Sequence, residues 1–160
     1  MLKRVAIVLF VFLNVGCDQI SKDLVRKNVE NSEYIPVIGD NFIMTNVENT
    51  GAMLGFGDNF PPIIKNIFLK ALPVLVLFIL LFRILQKKRM NFWLIIAFAF
   101  VIGGGIGNLI DRIAYGSVTD FFQIKLGVLR TGIFNMADVS VTLGALLILF
   151  LSFRYKKLEF

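Results

Sequence analysis

Long apolar runs separated by short polar breaks set the pattern of this chain, and the run lengths define its class. Four stretches, about 4–25, 63–85, 91–114 and 135–153, are apolar over lengths near the ~20 residues that carry a helix across a bilayer. Pro61-Pro62 opens the second, where proline is tolerated in the first helical turn, and Pro73 is placed to kink it. The third ends in Gly103, Gly104, Gly105 and Gly107, small residues that let helices approach closely in lipid. Asn135 is placed to cap the fourth, with Asp138 in its first turn.

The polar breaks are unequal. Residues 27–60 form the longest one, with Pro36, Gly39 and Asp40-Asn41 marking turns. Tyr34–Ile38 and the roughly alternating Asn41–Val47 read as short strands. Gly51, Gly55 and Gly57 follow in a row of small and apolar residues suited to lying on another chain or on lipid. Residues 115–132 read as a loop with two apolar patches and no helix signal. Met1 to Cys17 has the outline of a secretory signal, and even of a lipoprotein cleavage site. Asn14 stands where such sites favour leucine, however, and further apolar spans follow, so the segment is read as a first membrane helix. The pattern therefore predicts an all-α membrane bundle of four transmembrane helices, in one domain over 1–160, with two short strands in an extracytoplasmic polar loop.

Composition agrees with that class. Hydrophobic residues make up 57% of the 160 and charged residues 18%, with a mean hydropathy of +0.78; soluble chains are nearer half apolar and a quarter charged. The net charge of +6 is not a nucleic-acid stripe. Its lysines and arginines gather at segment ends: Lys3 and Arg4, then Lys87, Lys88 and Arg89, then Arg154, Lys156 and Lys157. That distribution predicts both termini and the short basic turn in the cytoplasm, with the polar loop outside. Lys65 and Lys70, near the outer end of the second helix, are placed to snorkel.

The chain has no histidine and one cysteine. Imidazole triads and Cys/His metal clusters are excluded, no metal or cofactor is expected, and carboxylates are the acid–base groups left. Acidic residues are expensive in hydrocarbon and mark functional sites there. Asp18 and Lys22 lie one helical turn apart and can pair. Asp111-Arg112, at the end of the third helix, reads as a structural charge pair. Asp120 stands among Val118, Thr119, Phe121 and Phe122 with no adjacent base, in surroundings that favour a protonated carboxyl. Asp138 stands at a helix start, where the macrodipole attracts negative charge. Two carboxylates brought together share a proton, one acting on water and the other on a carbonyl. Such pairs also carry protons or bind ions. The residues alone leave open a peptidase and a small proton-coupled transporter or ion-binding membrane protein.

Five ordered blocks narrow the choice: Asp18-Gln19-Ile20-Ser21-Lys22, Asn49 to Gly55, Gly104 to Arg112, Val118 to Phe121, and Phe134 to Asp138. Through nearly its whole length the chain resembles the lipoprotein signal peptidases, the signal peptidase II family of bacterial membrane aspartic proteases. The resemblance implies four membrane helices, an extracytoplasmic β-cradle and a small periplasmic helix. It implies cleavage of prolipoproteins just before a cysteine bearing diacylglycerol, in the bacterial inner membrane and near its outer face, and inhibition by lipopeptides of the globomycin kind. By the same resemblance Asp120 and Asp138 are the catalytic pair. Asp18, Lys22, Asn49, Gly51, Asn108, Asp111, Arg112, Asn135 and Ala137 are supporting positions. Ser21, where threonine is frequent, and Met53-Leu54, where Ala-Phe or Ala-Trp is usual, depart from the family pattern. An entrance open to lipid is expected between helices, with Phe42, Met44, Met53, Leu54 and Phe56 as an apolar cover.

Overall fold

A computed structural model describes residues 2–87 and 90–154. Lys88, Arg89 and Tyr155-Lys156-Lys157, expected at cytoplasmic ends, lie outside the described residues, as do Met1 and the side chain of Lys3. Among the described residues, four helices are long and apolar enough to cross a membrane. They are α1 (Leu2–Asn28), α2 (Pro62–Gln86), α3 (Phe92–Ala114) and α4 (Met136–Arg154). The first runs three residues further than its apolar pattern, to Asn28.

That face follows a heptad-like rhythm. Ile7, Val11, Asp18, Lys22, Val25 and Val29 are buried with Asn14 half-buried between them, while Leu9, Phe12, Leu13, Ile20 and Leu24 point outward. A single stripe thus turns from apolar to ionic partway along the helix. Ile7 and Val11 join Leu77, Ile84, Ala99 and Ile102 in the bundle core. Lipid tails are as apolar as these side chains, so tight backbone approach must hold the helices together. The α3 glycines supply it: a Cβ at Gly103 would lie 2.6 Å from Asn14 Cβ, one at Gly107 would lie 2.5 Å from Asp18 Oδ2, and one at Gly104 would collide with the Ala137 carbonyl.

The second helix does not simply kink at Pro73. It starts as a short α-turn (Pro62–Lys65), widens into a π-helical turn (Asn66–Ala71) and resumes as α-helix from Leu72. Proline has no N–H to continue the ladder, and the wider turn just before it absorbs the mismatch.

The sheet is four-stranded and antiparallel, in the order β1 (Ile35–Ile38), β2 (Phe42–Asn49), β3 (Val118–Leu126), β4 (Leu129–Arg130). Residues 118–130, read from sequence as a loop, are therefore a correction: they supply the longest strand and a short partner. The alternation that marks a half-exposed strand is missing because Val118, Thr119, Asp120 and Phe121 are all buried, one face of the strand on α1 and the other toward the site. Val25 and Val29 pack on Phe121, with Ile35, Met44, Phe122 and Met136 around them. The short helix implied by the resemblance is a single 3₁₀ turn, Met53–Gly55, in which Leu54 has φ 57°.

Candidate active site

Strand pairing sets Asp120 opposite Val47 and Val118 opposite Asn49. Phe134 then returns beside β3, exchanging backbone hydrogen bonds with Phe122 at 2.8 Å in both directions, so Asn135 arrives next to Asp120. From there α4 begins with a reciprocal cap. Asn135 Oδ1 accepts from the Asp138 N–H at 3.0 Å, and Asp138 Oδ2 accepts from the Asn135 N–H at 3.1 Å.

The two aspartates meet through this cap. The side-chain amide of Asn135 donates to Asp120 Oδ1 at 2.6 Å, while Asn49 donates to Asp120 Oδ2 at 3.0 Å. Asn108 donates to Asp138 Oδ1 at 2.8 Å, and its own carbonyl accepts from Lys22 at 2.9 Å and from Asn135 at 3.1 Å. Every carboxylate oxygen of the pair thus has a protein donor. Asp120 is only 4% exposed. Burial, against the hydrogen bonds from Asn49 and Asn135 and aided by the charge of Asp138, raises its carboxyl to about 6.

Behind the pair lies a buried ion cluster. Lys22 Nζ sits 2.8 Å from Asp18 and 3.0 Å from Asp111, with all three side chains fully buried. Asp18 Oδ1 accepts from the Ala137 N–H at 2.8 Å, which ties α1 to the start of α4. A lone ion here would cost several kcal/mol, so the charges persist only because they neutralise one another and are hydrogen-bonded.

Asp111 is not the partner of Arg112, as adjacency in sequence suggested. Consecutive helical residues point about 100° apart, and Asp111 turns to Lys22 and to Arg26 Nη2, 3.1 Å away. Arg112 instead donates to the Gly51 carbonyl at 3.1 Å, holding the turn in which the Gly51 N–H bonds Asn49 Oδ1 at 2.9 Å. Every candidate position from the sequence therefore joins one connected network.

The sequence reading missed four members. Gln19 donates to Asp18, to the Gly107 carbonyl and to Asp111, each at 3.1 Å. Arg26 donates to Thr119 Oγ1 at 2.7 Å, Thr119 donates to Glu48 at 2.6 Å, and the guanidinium lies 4.1 Å over the Tyr115 ring. Arg26 had a readable signal, since it extends the four-residue spacing of Asp18 and Lys22. Gln19 and Thr119 fell inside two of the five blocks without being singled out, and Glu48 had no signal, because only strand pairing brings it there.

Asp120 and Asp138 face a cleft of about 690 Å³. Its walls include Met53, Leu54, Ile133, Val139, Val141 and Leu143, so the carboxylates sit in an apolar trough. Met53 and Leu54, 83% and 76% exposed, overhang it, and Leu54 reaches Gly132 on the far side. The rest of the expected cover lies elsewhere. Phe42 packs on Phe122 at 4.9 Å, Met44 belongs to the cluster under the sheet, and Phe56 packs on Phe60 at 5.7 Å.

Fold and site together define a multi-pass membrane protein with a carboxylate pair at the base of an apolar cleft. The family model described as signal peptidase (SPase) II matches residues 9–154, and the chain belongs to that family. Lipoprotein signal peptidases from Moorella thermoacetica and Borrelia hermsii are 34% and 36% identical to it, over 88% and 86% of this chain and 87% and 83% of their own. A bacterial membrane enzyme solved by the in meso method superposes with a TM-score of 0.81 at 26% identity, covering 97% of this chain and 93% of that one. The family makes the chain an aspartic peptidase, and the transporter reading has no support among these relatives.

Proposed function

We propose that Asp120 and Asp138 are the catalytic pair of a peptidase that removes signal peptides from prolipoproteins and cuts just before the diacylglyceryl cysteine. One observation carries the assignment: both carboxylates converge on Asn135 at the base of the cleft. Asp120, with its carboxyl raised to about 6, holds the proton of the pair. Asp138 accepts a proton from water as the water oxygen attacks the scissile carbonyl, while Asp120 donates to the carbonyl oxygen. The C–N bond then breaks as Asp138 passes the proton taken from water to the amine, while a hydroxyl of the gem-diol returns its proton to Asp120, so the pair ends in its starting state. Asn108, Asn135 and Asn49 orient the carboxylates, and Lys22 orients Asn108.

The apolar trough suits a substrate made of a signal helix and two acyl chains, which enters sideways from lipid. The protein lies in the bacterial inner membrane with both termini cytoplasmic and the sheet and cleft at the outer face, following its basic segment ends. Lipopeptides of the globomycin kind fit the same trough, and nothing in the charge distribution calls for nucleic acid.

Incubating the detergent-purified protein with a diacylglyceryl prolipoprotein tests the assignment by gel shift. Asp120→Asn and Asp138→Asn should each lower turnover by about 10²–10⁴-fold or more, because the pair acts as one unit. Wild-type turnover in either variant ends the assignment.

A further inference from the structure

Arg112 lines a second, smaller cavity of about 170 Å³ that the peptidase chemistry does not use. Thr50, Phe60, Pro62, Lys65, Lys70 and Gly116 complete most of its wall, and no acidic residue lines it. Three cations therefore face one small space. The Lys70 side chain makes no hydrogen bond or ion pair within the described residues. Lys65 gives one N–H to Thr50 Oγ1 at 3.0 Å. Arg112 gives Nη2 to Gly51, but its Nε is buried with no hydrogen-bond partner. The nearby Asp58 is engaged by the Thr50 hydroxyl at 2.8 Å. Three converging like charges with no carboxylate on the wall call for an anion.

The backbone is shaped for this convergence. Residues five apart on a regular α-helix point about 140° away from each other. The π-helical turn over Asn66–Ala71 bonds residues five apart, which brings Lys65 and Lys70 to the same wall. Depth identifies the anion. Pro62 opens α2 and Gly116 lies just past the end of α3, so the cavity sits where helices leave the hydrocarbon. Phe60, Pro62 and Leu69 give it an apolar side. An arginine fork beside lysine ammonium groups matches phosphate oxygens. We propose that this cavity binds the phosphodiester of an anionic membrane phospholipid, with the glycerol and first acyl carbons against the apolar side. Arg112 also lines the carboxylate cleft, whereas Lys65 and Lys70 do not, so variants at the two lysines test this site independently of the peptidase assignment.

Native mass spectrometry of the full chain in detergent tests it, with dioleoyl phosphatidylglycerol, dioleoyl phosphatidylcholine and inorganic phosphate as probes. The expected result is one retained phosphatidylglycerol, bound roughly tenfold more weakly by Lys65→Gln/Lys70→Gln and regained in Lys65→Arg/Lys70→Arg. Inorganic phosphate at the same concentration should not displace it. Equal phosphatidylglycerol binding by the glutamine double variant overturns the proposal, as does equal retention of phosphatidylcholine. Displacement by inorganic phosphate would make this a free-anion site and overturn the lipid assignment. Melting temperature without lipid controls for folding. Should the double variant unfold, Lys70→Gln alone, which removes no hydrogen bond, carries the same comparison.

Discussion

On the proposed assignment, Asp120 sets the pH dependence of cleavage. Its carboxyl is raised to about 6, first by burial and then by the charge of Asp138. A carboxyl raised in the folded state binds its proton more tightly folded than unfolded. The resulting stabilisation is full at acid pH and is lost as pH rises from the ordinary carboxylate range through about 6. Activity that needs this proton should follow it: kcat/KM of the free enzyme should fall tenfold per pH unit above about 6. Melting temperature of the wild type should decline across the same interval, and that of Asp120→Asn should stay flat. A kinetic inflection at the ordinary carboxylate value of ~3.9 would take the proton away from Asp120. At this scale much was legible in sequence, because an aspartate inside an apolar run is conspicuous. The Asp111–Arg112 partnership was not, since neighbours in sequence diverge on a helix. Nor was the tie between Arg26 and Thr119, which depends on two elements meeting.

Among the elements, α3 is the one the others are fitted to. Its glycines let α1 and α4 approach so closely that an added methyl has nowhere to go. Gly107→Ala would put a Cβ 2.5 Å from Asp18 Oδ2, and Asp18 cannot swing aside because Lys22 and the Ala137 N–H hold it. Overpacking of this kind typically costs about 1–3 kcal/mol. Gly107→Ala should therefore melt several degrees below wild type in detergent and cleave slowly. Gly16→Ala, whose Cβ would meet nothing within 4 Å, should match wild type in both measurements. Equal melting of the two variants would show that Asp18 is loosely held. Helices were readable because length and apolarity identify a bilayer span without knowledge of neighbours. Strand β3 was hidden by its burial on both faces, and the widened turn in α2 by the rarity of π geometry, although Pro73 pointed to its neighbourhood.

For the molecule as a whole, the link between Asp18 and the Ala137 N–H has a consequence for how the protein is made. The two partners are 119 residues apart, and Asn135 and Asp138 lie at the start of α4, which leaves the ribosome after the other three spans. Until that span arrives, Asp18 lacks the Ala137 N–H, Asn108 lacks Asp138 and Asn135, and Asp120 lacks the Asn135 amide. On the proposed assignment, a nascent chain without this span should be unable to cut. Co-expressing residues 1–131 with 132–160 puts this to the test. The two pieces should associate in the membrane and regain cleavage together, while residues 1–131 alone should be inactive and rapidly degraded. Long-lived 1–131 in the absence of its complement would mean that the polar cluster closes without the final helix.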